Sequence, residues 1–512
     1  MFPGTAYCTT RAASAEKLLA DLGLAFTLVP AEELRFRVLF SDTFDWALHR
    51  AGWALEIQGS GYRLLDRVGG KVIAAAVESS AHAPRFAWEF ADPRLRSLLE
   101  PRLKLRALVG ILTVAGRGRR FTLRNRHGEL VGRCDLTTLQ LERGERDEPF
   151  LVVCSFGTLP ADSPLAIQAA RLCRESGWEE APPVVLDRAL GRARIVPGAY
   201  SSKMAVSLDP ALSTREAARR IARNLTGVMR ANLPGIRKDV DTEFLHDFRV
   251  AVRRTRSLLK LLDAVIPDGV LEEFVPVFRN IGRATGPLRD LDVYLLKRGE
   301  YGALVPPVLH PGLEDYFSEL GDRRREALTR LTEYLDGPEF LQALDRWEAF
   351  LSLDPAAWPG GADLADPPVG LTARREIERL YRQVLRRGKR VTREGKDRSF
   401  HRLRIRCKEL RYALEFFASL FPGTQHGQVV RRLKTLQDDL GEFNDLCVQM
   451  AHLEALLEGK ADRPIPGREA ATLGALILQM HQRKQAVGER FAGTFAGFSR
   501  GKNRRMIKAM LA

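Results

Sequence analysis

One histidine and three cations lie on a single stripe of a predicted helix near the middle of the chain. This first stripe consists of His246, Arg249, Arg253 and Arg256. At about 100° per residue the four positions fall within an arc of about 80°. No Asp or Glu occurs between Arg249 and Arg256, so these cations lack the acidic neighbours that an ordinary solvated helix uses for pairing. Like charges repel unless an anion lies among them. The pattern therefore predicts an anion-binding face.

The stripe occurs twice, and the two copies are 155 residues apart. The second stripe consists of His401, Arg404, Lys408 and Arg411. The same displacement relates Gly286 to Gly441, Asp290 to Asp445, Arg279 to Lys434, Arg219 to Arg374 and Arg220 to Arg375. Apolar positions follow the same offset, such as Phe278 with Leu433. A duplicated helical bundle is the simplest explanation.

Phosphate is the anion that these side chains suit best. The planar fork of arginine donates two hydrogen bonds to phosphate oxygens and keeps its charge, whereas Lys408 acts as a point charge. The recurring cations Arg219, Arg220, Arg279, Arg374, Arg375 and Lys434 are candidates for the same ligand face. Contacts along a linear polyanion add through counterion release, so binding is expected to weaken steeply with salt.

The histidines and the recurring aspartates are expected to assist the cations. His246 and His401 follow predicted helix starts at Asp241 and Asp397, where exposed backbone N–H groups also favour anions. A structural hydrogen-bonding role for each histidine is the alternative. Asp290 and Asp445 are expected to hold an arginine or a histidine in position, and helix capping is the alternative for them.

Neither histidine has a second ligand at a spacing typical of metal sites, so the sequence predicts no metal and no cofactor.

Charge is distributed unevenly along the 512 residues. Of a formal net charge of +16, residues 1–200 carry +4 and residues 201–512 carry +12. The polyanion footprint is therefore expected in the C-terminal part. Six scattered cysteines without a CxxC pair argue against a disulfide framework or structural zinc. With neither a signal peptide nor an apolar run of membrane-spanning length, the sequence predicts a cytoplasmic protein with no membrane partner.

Secondary-structure patterns divide the chain into two parts. The first 190 residues or so read as α+β, with strand-like segments at 34–40, 55–57, 72–77, 121–123 and 150–154 and helical patches at 44–51 and 164–176. Long amphipathic helices rich in Arg and Leu follow from Ser213, which has capping-box spacing to Glu216. Proline-rich segments interrupt the helical part, so bundles are expected rather than one long coiled coil.

The helical part resembles the CHAD domain, the conserved histidine α-helical domain. The segments that carry the resemblance are FLHDFRVAVRRTRSLLKLL, GPLRDLDVYLL, FHRLRIRCKELRYALEFF and LKTLQDDLGEFNDLCV. The resemblance implies two four-helix bundles related by pseudo-twofold symmetry, a basic surface at their centre and inorganic polyphosphate as the ligand. By matching position, the implied binding residues are the cations and histidines already named.

The N-terminal part resembles a CYTH domain, the tunnel-shaped β-barrel of triphosphate hydrolases and some adenylyl cyclases. Matching pieces are EELRFRV, FSDTFDWALHRAGWALEI, and LKLRALVGILTV followed by RRFTLRNRHGELVGR. The family's metal-binding ExExK strand reads here as Glu33-Leu34-Arg35-Phe36-Arg37, so a cation replaces the second carboxylate. Glu56 and Gln58 replace basic strand residues, although Arg106, Arg119, Arg124 and Arg126 remain. Because phosphoryl transfer needs both carboxylate-held metal and phosphate-holding cations, we expect this domain to be inactive.

The expected architecture is a CYTH-like α+β barrel over residues 1–199 followed by an all-α CHAD domain over 200–512. Its two repeats are expected at about 210–350 and 368–512. The leading functional hypothesis is non-catalytic polyphosphate binding, with recruitment to polyphosphate granules.

Three alternatives remain open. One is an inorganic triphosphatase or polyphosphatase with residual CYTH activity, which the altered glutamate pattern argues against. Another is a nucleic-acid-binding protein, which the lack of aromatic, Asn or Gln readers on the stripes argues against. The third is a scaffold whose basic face contacts an acidic protein.

Overall fold

A sheet-rich unit and a helical unit follow one another along the chain. In the computed structural model, residues 5–78, 82–142, 148–157, 164–358, 364–460 and 465–511 are described. The chain divides between Ser201 and Ser202, giving the units Met1–Ser201 and Ser202–Ala512. Each unit has its own buried core and is described by itself.

The first unit is built on one antiparallel sheet of nine strands. Its strands are β1 (Thr5–Thr9), β2 (Thr27–Thr43), β3 (Trp53–Gln58), β4 (Gly61–Asp66), β5 (Val72–Val77), β6 (Leu108–Arg124), β7 (Leu130–Leu141), β8 (Glu148–Gly157) and β9 (Glu179–Glu180). The spatial order is β5-β4-β3-β2-β6-β7-β8-β1-β9. This antiparallel sheet is compatible with the expected CYTH-like barrel. The five strand-like segments recognised in the sequence all lie within these strands.

Five helices cover the sheet. They are α1 (Ser14–Ala25), α2 (Ala47–Arg50), α3 (Pro93–Leu103), α4 (Pro164–Glu175) and α5 (Leu186–Ala193). Leu18 and Leu22 of α1 pack with Cys173 of α4 in one core cluster, and Leu186 and Leu190 of α5 pack in another. The helix expected at 44–51 is reduced to the single turn of α2, because Trp46 directly before it and Gly52 just after it adopt positive φ angles of 61° and 77°.

Helices make up the regular structure of the second unit over its described residues, apart from one isolated β-bridge between Ser213 and Pro368. Its first half contains α6 (Thr214–Arg237), α7 (Thr242–Leu261), α8 (Asp268–Ala284), α9 (Gly286–Leu295), α10 (Arg298–Leu304), α11 (His310–Asp336) and α12 (Pro338–Ser352). Its second half contains α13 (Val369–Glu394), α14 (Asp397–Phe416), α15 (Thr424–Ala455), α16 (Gly467–Ser499) and α17 (Gly501–Leu511). This all-α unit after an antiparallel sheet unit confirms the predicted fold class. Ser213 caps α6, since its hydroxyl accepts a hydrogen bond from the Glu216 N–H at 3.2 Å.

Matched hydrogen bonds relate the two halves. The Thr214 N–H donates to the Pro367 carbonyl at 3.0 Å, and the Val369 N–H donates to the Leu212 carbonyl at 2.7 Å. Position 369 is 155 residues after position 214, and position 212 is 155 residues before position 367. The two bonds therefore join equivalent positions, with donor and acceptor in the same roles. Such a reciprocal contact is the signature of a twofold relation. The axis therefore passes between the starts of α6 and α13.

A second reciprocal contact joins α7 to α14. Arg254 pairs with Glu415 at 2.6 Å, and Lys260 pairs with Glu409 at 2.9 Å. The offset converts position 254 into 409 and position 260 into 415, so both ion pairs use the same two positions with the charges exchanged. The two stripe-bearing helices are thus neighbours across the pseudo-twofold axis.

Within the described ranges, no helix combines the length and the apolar character needed to cross a membrane.

Close packing of α13 against α16 gives a test of this architecture. A methyl group at Gly388 would overlap the ring of Phe495, which is 5% exposed, so Gly388→Ala is expected to lower stability by about 1–3 kcal/mol. The control is Gly227→Ala on α6, where nothing lies within 4 Å and the gain in helix propensity is up to about 1 kcal/mol. Thermal unfolding of both variants measures the difference. Equal melting temperatures would contradict the packing of these helices.

Candidate polyanion-binding site

The two stripes occupy equivalent positions on α7 and α14. His246 and His401 are each the fifth residue of their helix. The opposite side of α7 is buried and includes Phe248, Val252 and Leu259. Burial of this apolar face fixes the rotation of the helix, so the stripe is directed away from the core of its own bundle.

Arg249 is anchored at the junction between α8 and α9. Its guanidinium donates to the Gly282 carbonyl at 2.9 Å and to the Thr285 hydroxyl at 2.7 Å. Pro287 lies in the first turn of α9, where its missing N–H helps to separate α9 from α8. The contacts of Arg249 are with the last turn of α8. Burial lowers the pKa of Arg249; the Asp290 carboxylate opposes this shift, and Arg253 and Arg289 add to it. Partial loss of hydration raises the pKa of Asp290, and Arg249 and Arg289 oppose this shift.

The second stripe is held by α15. An Asp445 carboxylate oxygen lies 3.6 Å from the Arg404 guanidinium. The His401 Nδ1 is 2.9 Å from the Asn444 side-chain oxygen, a distance that fits a hydrogen bond donated by the ring. Burial lowers the pKa of Arg404, an effect that Asp445 opposes and Arg253 reinforces. Among the described residues, the Arg404 Nε atom is buried without a hydrogen-bond partner.

Lys408 lies where the two stripes meet. Burial and the neighbouring cations Arg253 and Arg404 lower its pKa to about 7, against a weaker opposing effect of Asp445. Arg253 donates to the Tyr412 hydroxyl of α14 at 2.6 Å, which draws the first stripe towards the second. Cations from both halves therefore share one partly dehydrated surface, and Lys408 is charged there only at a free-energy cost.

The remaining predicted cations occupy several environments. Arg256 lies near Arg279, and burial with this like charge lowers its pKa. Arg411 pairs with Glu415 at 2.7 Å, and Lys434 is exposed on α15. Arg219 and Arg220 pair with Glu216 on their own helix at 2.6 and 2.7 Å. Arg374 and Arg375 are exposed on the first turns of α13.

Four residues at the site were not recognised as functional in the sequence. Thr285, Tyr412 and Asn444 contact stripe residues directly, and Arg289 lies near Arg249 and Asp290. Arg289 and Asn444 precede the recurring aspartates by one residue, which is a signal that the repeat contained. Tyr412 and Thr285 have no such signal, because their counterparts in the other half are Ser257 and Leu440.

The arrangement is suited to an extended anion. Arg249, Arg404 and Lys408 are dehydrated, repel their neighbours and have incomplete carboxylate pairing. An anion placed among them would relieve the repulsion and replace lost hydration with hydrogen bonds.

The same region matches a known family. Residues 220–454 match the family model of the CHAD domain, and this range includes both stripes. The chain contains a CHAD domain. A search of curated proteins found no match.

Two solved structures are similar to the chain. The crystal structure of the CHAD domain from the plant Ricinus communis has 25% identity and a TM-score of 0.48, covering 58% of this chain and 96% of that one. PptA from Streptomyces chartreusis has 15% identity and a TM-score of 0.42, covering 56% of this chain and 100% of that one.

Outside the CHAD domain, the sheet unit contains a small cavity of about 170 Å³. Its wall on β2 is apolar and consists of Leu34, Phe36 and Val38. The intervening residues Glu33 and Arg35 pair with each other at 3.1 Å and are 73% and 77% exposed at their side chains. Successive side chains of a strand point to opposite faces, so Glu33, Arg35 and Arg37, which align with the charged positions of the ExExK motif, are directed away from this cavity.

The buried charge in the CHAD domain makes a stability prediction. Lys408→Met removes a cation surrounded by Arg253 and Arg404, and is expected to stabilise the fold by about 1–3 kcal/mol. The pKa of Lys408 is about 7 in the folded protein, against an ordinary value of 10.5. Lys408 therefore lowers the stability of the fold most strongly below pH 7, and this destabilisation disappears as the pH rises towards 10.5. Thermal unfolding across that range measures it. A stability difference independent of pH would contradict the dehydration of Lys408.

Proposed function

We propose that the CHAD domain of this chain binds inorganic polyphosphate on the surface that the two stripes form together. The observation that carries the proposal is the meeting of the two stripes on one surface, where Arg253 of α7 donates to Tyr412 of α14 and lies near Lys408 and Arg404. A protein that keeps a lysine in this environment gains nothing in stability from it. The cost is recovered when a dense anion occupies the surface.

The length of the surface favours a linear ligand over a single phosphate. Arg249 is anchored on the α8–α9 side and Arg404 on the α15 side, with Arg253 and Lys408 between them. A chain of phosphates supplies oxygens to all four cations at once. Polyphosphate is also the ligand that the CHAD resemblance implies.

Nucleic acid is the competing polyanion. The stripes contain no Asn, Gln or aromatic residue that could read or stack on bases. Tyr412, the aromatic residue at the surface, is 6% exposed and already accepts a hydrogen bond from Arg253. If single- or double-stranded nucleic acid displaced labelled polyphosphate at equal phosphate concentration, the preference for polyphosphate would be refuted.

Charge reversal on the stripes tests the site. Arg249→Glu and Arg404→Glu should each weaken polyphosphate binding about tenfold or more, because each loses charge-assisted hydrogen bonds and adds repulsion. Arg325→Glu is the control, since Arg325 is 75% exposed on α11 and pairs with Asp322 of its own helix. Titration calorimetry measures affinity, and circular dichroism verifies that the helices persist.

Two results would remove the site from the stripes. One is unchanged affinity in both stripe variants, and the other is an equal loss in the control. Because Arg249 also holds the α8–α9 junction, Arg253→Gln provides a milder variant that keeps the fold and should still weaken binding.

We further propose that the chain binds polyphosphate without hydrolysing it. Arg35 occupies the place of a metal-binding carboxylate, and Glu33 is directed away from the cavity of the sheet unit. Triphosphate incubated with the protein and Mg²⁺ or Mn²⁺ should remain intact. Phosphate release that Glu33→Ala abolishes would refute this part of the proposal.

The proposed binding activity would recruit the protein to polyphosphate granules in cells. A fluorescent fusion of the full chain should colocalise with granules, and the fusion carrying Arg249→Glu and Arg404→Glu should not. Equal colocalisation of both would show that another feature directs the protein there.

A further inference from the structure

A second basic surface lies between α13 and α17, away from the residues that form the stripes. This groove has a volume of about 1060 Å³. Its lining contains eight cations, namely Arg374, Arg375, Arg379, Arg382, Arg386, Lys389, Arg504 and Lys508, and a single acid, Glu378. The last helix of the groove, α17, begins beyond the range that matches the CHAD family model.

The cations follow one line along α13. Arg375, Arg379, Arg382, Arg386 and Lys389 are spaced by four, three, four and three residues, which places them on one side of the helix over about 21 Å. Glu376 pairs with Arg375 and Arg379, and Glu378 pairs with Arg382. Within the described ranges, no carboxylate pairs with the cations further along the groove: Arg386, Lys389, Arg504 and Lys508.

The duplicated half lacks this line of charge. The α6 positions that correspond to Arg379, Arg382, Arg386 and Lys389 are Asn224, Gly227, Ala231 and Pro234. There α12 packs against α6, and Arg230 is neutralised by Asp345 and Glu348 at 2.5 and 2.7 Å. The groove is therefore a property of the second repeat alone, not a general consequence of the helical scaffold.

The cations are the most exposed groups of the groove, whereas Leu385 and Leu511 are half-exposed. At its floor Tyr381 is 5% exposed and packs on Phe498 of α16, and Ile507 is 4% exposed. The cations of α13 along the groove are all exposed. An amphipathic protein helix would need an open apolar floor. A dense polyanion needs the exposed cations, so the groove suits a phosphate chain better.

A smaller cavity connects the groove with the stripes. Its volume is about 240 Å³, and Arg375 and Arg379 line both the cavity and the groove. Lys260 and Arg406 add two further cations to its wall, and both pair there with Glu409. Asp263 and Glu376 also line the cavity, and Glu376 pairs with Arg375 and Arg379. Tyr412 also lines the cavity, and the hydroxyl of this residue accepts the hydrogen bond from Arg253 of the first stripe. The cavity thus lies between the stripes and the groove, with a wall of paired charges, and unpaired cations begin again further along the groove.

We infer that long polyphosphate chains continue from the stripes past this cavity into the α13–α17 groove, which makes affinity dependent on chain length. The inference rests on the proposed function, because the stripes supply the first contact. The stripes alone would contact every phosphate of a short chain. Long chains gain contacts on one side of the pseudo-twofold axis only, so the ligand would bind the duplicated domain asymmetrically.

The test compares tripolyphosphate with long-chain polyphosphate on the full chain. Arg382→Glu/Arg386→Glu should weaken binding of long chains about tenfold and lower the slope of log affinity against log salt by about two, with tripolyphosphate binding unchanged. The matched control is Arg325→Glu/Arg330→Glu on α11, where both arginines are more than 70% exposed and pair on their own helix. Arg382→Gln/Arg386→Gln repeats the test without introducing negative charge.

The outcomes separate this inference from the function on which it rests. Loss confined to long chains in the groove variants, with the control unaffected, supports the inference. Wild-type affinity for long chains in both groove variants overturns it and leaves the stripes as the whole site. If the wild-type protein bound neither ligand, the proposed function itself would fail. If an acidic peptide displaced long polyphosphate at equal charge, the groove would be a protein-docking surface instead.

Discussion

Repulsion between dehydrated cations is the constraint on which the rest of the helical unit depends. Arg253, Arg404 and Lys408 come from two helices and share one surface, where burial and like charge together lower the pKa of Lys408 to about 7. Such a surface can persist only if the surrounding structure forces the helices together. The reciprocal contacts do so: paired backbone hydrogen bonds join the starts of α6 and α13, and paired ion pairs join α7 to α14. Duplication therefore supplies both the charges and the contacts that hold them.

The first arginine of each stripe, Arg249 or Arg404, is held by different contacts in the two halves. In the first half Pro287 helps to separate α9 from α8, and the end of α8 offers a carbonyl and the Thr285 hydroxyl to Arg249. In the second half Glu442 stands in place of proline, so α15 runs unbroken and Asp445 faces Arg404. Each arginine also lies near a recurring carboxylate, Asp290 for Arg249 and Asp445 for Arg404. The two halves therefore keep the same charges and differ in the neutral groups that hold them.

Sequence periodicity predicted the parts of this structure that depend on one helix at a time. The spacing of His246, Arg249 and Arg253 defines a stripe on any α-helix, and the 155-residue offset required a second one. What periodicity could not provide is contact between distant helices. Tyr412 meets Arg253 although 159 positions separate them, and nothing in the first repeat corresponds to that pairing because its counterpart is Ser257.

A similar limit applied to the sheet unit, where a shift of one residue decides which face a side chain occupies. The motif comparison aligned Glu33 and Arg35, yet their neighbours Leu34 and Phe36 line the cavity.

The opposite charges of α12 and α17 make the two halves of the duplicated domain electrostatically unequal. Both helices pack at the outer side of a bundle, but α12 brings Asp345 and Glu348 to α6, while α17 brings Arg504 and Lys508 to α13. On the α12 side the acids pair with Arg230 of α6, whereas on the α17 side Arg504 and Lys508 add to the cations of α13. A symmetric polyanion bound at the axis would meet identical surroundings on both sides only if these helices were alike. Because their charges are opposite, a linear anion that entered at the axis would meet paired charge on the α12 side and cations on the α13 side, and attraction would favour the α13 side.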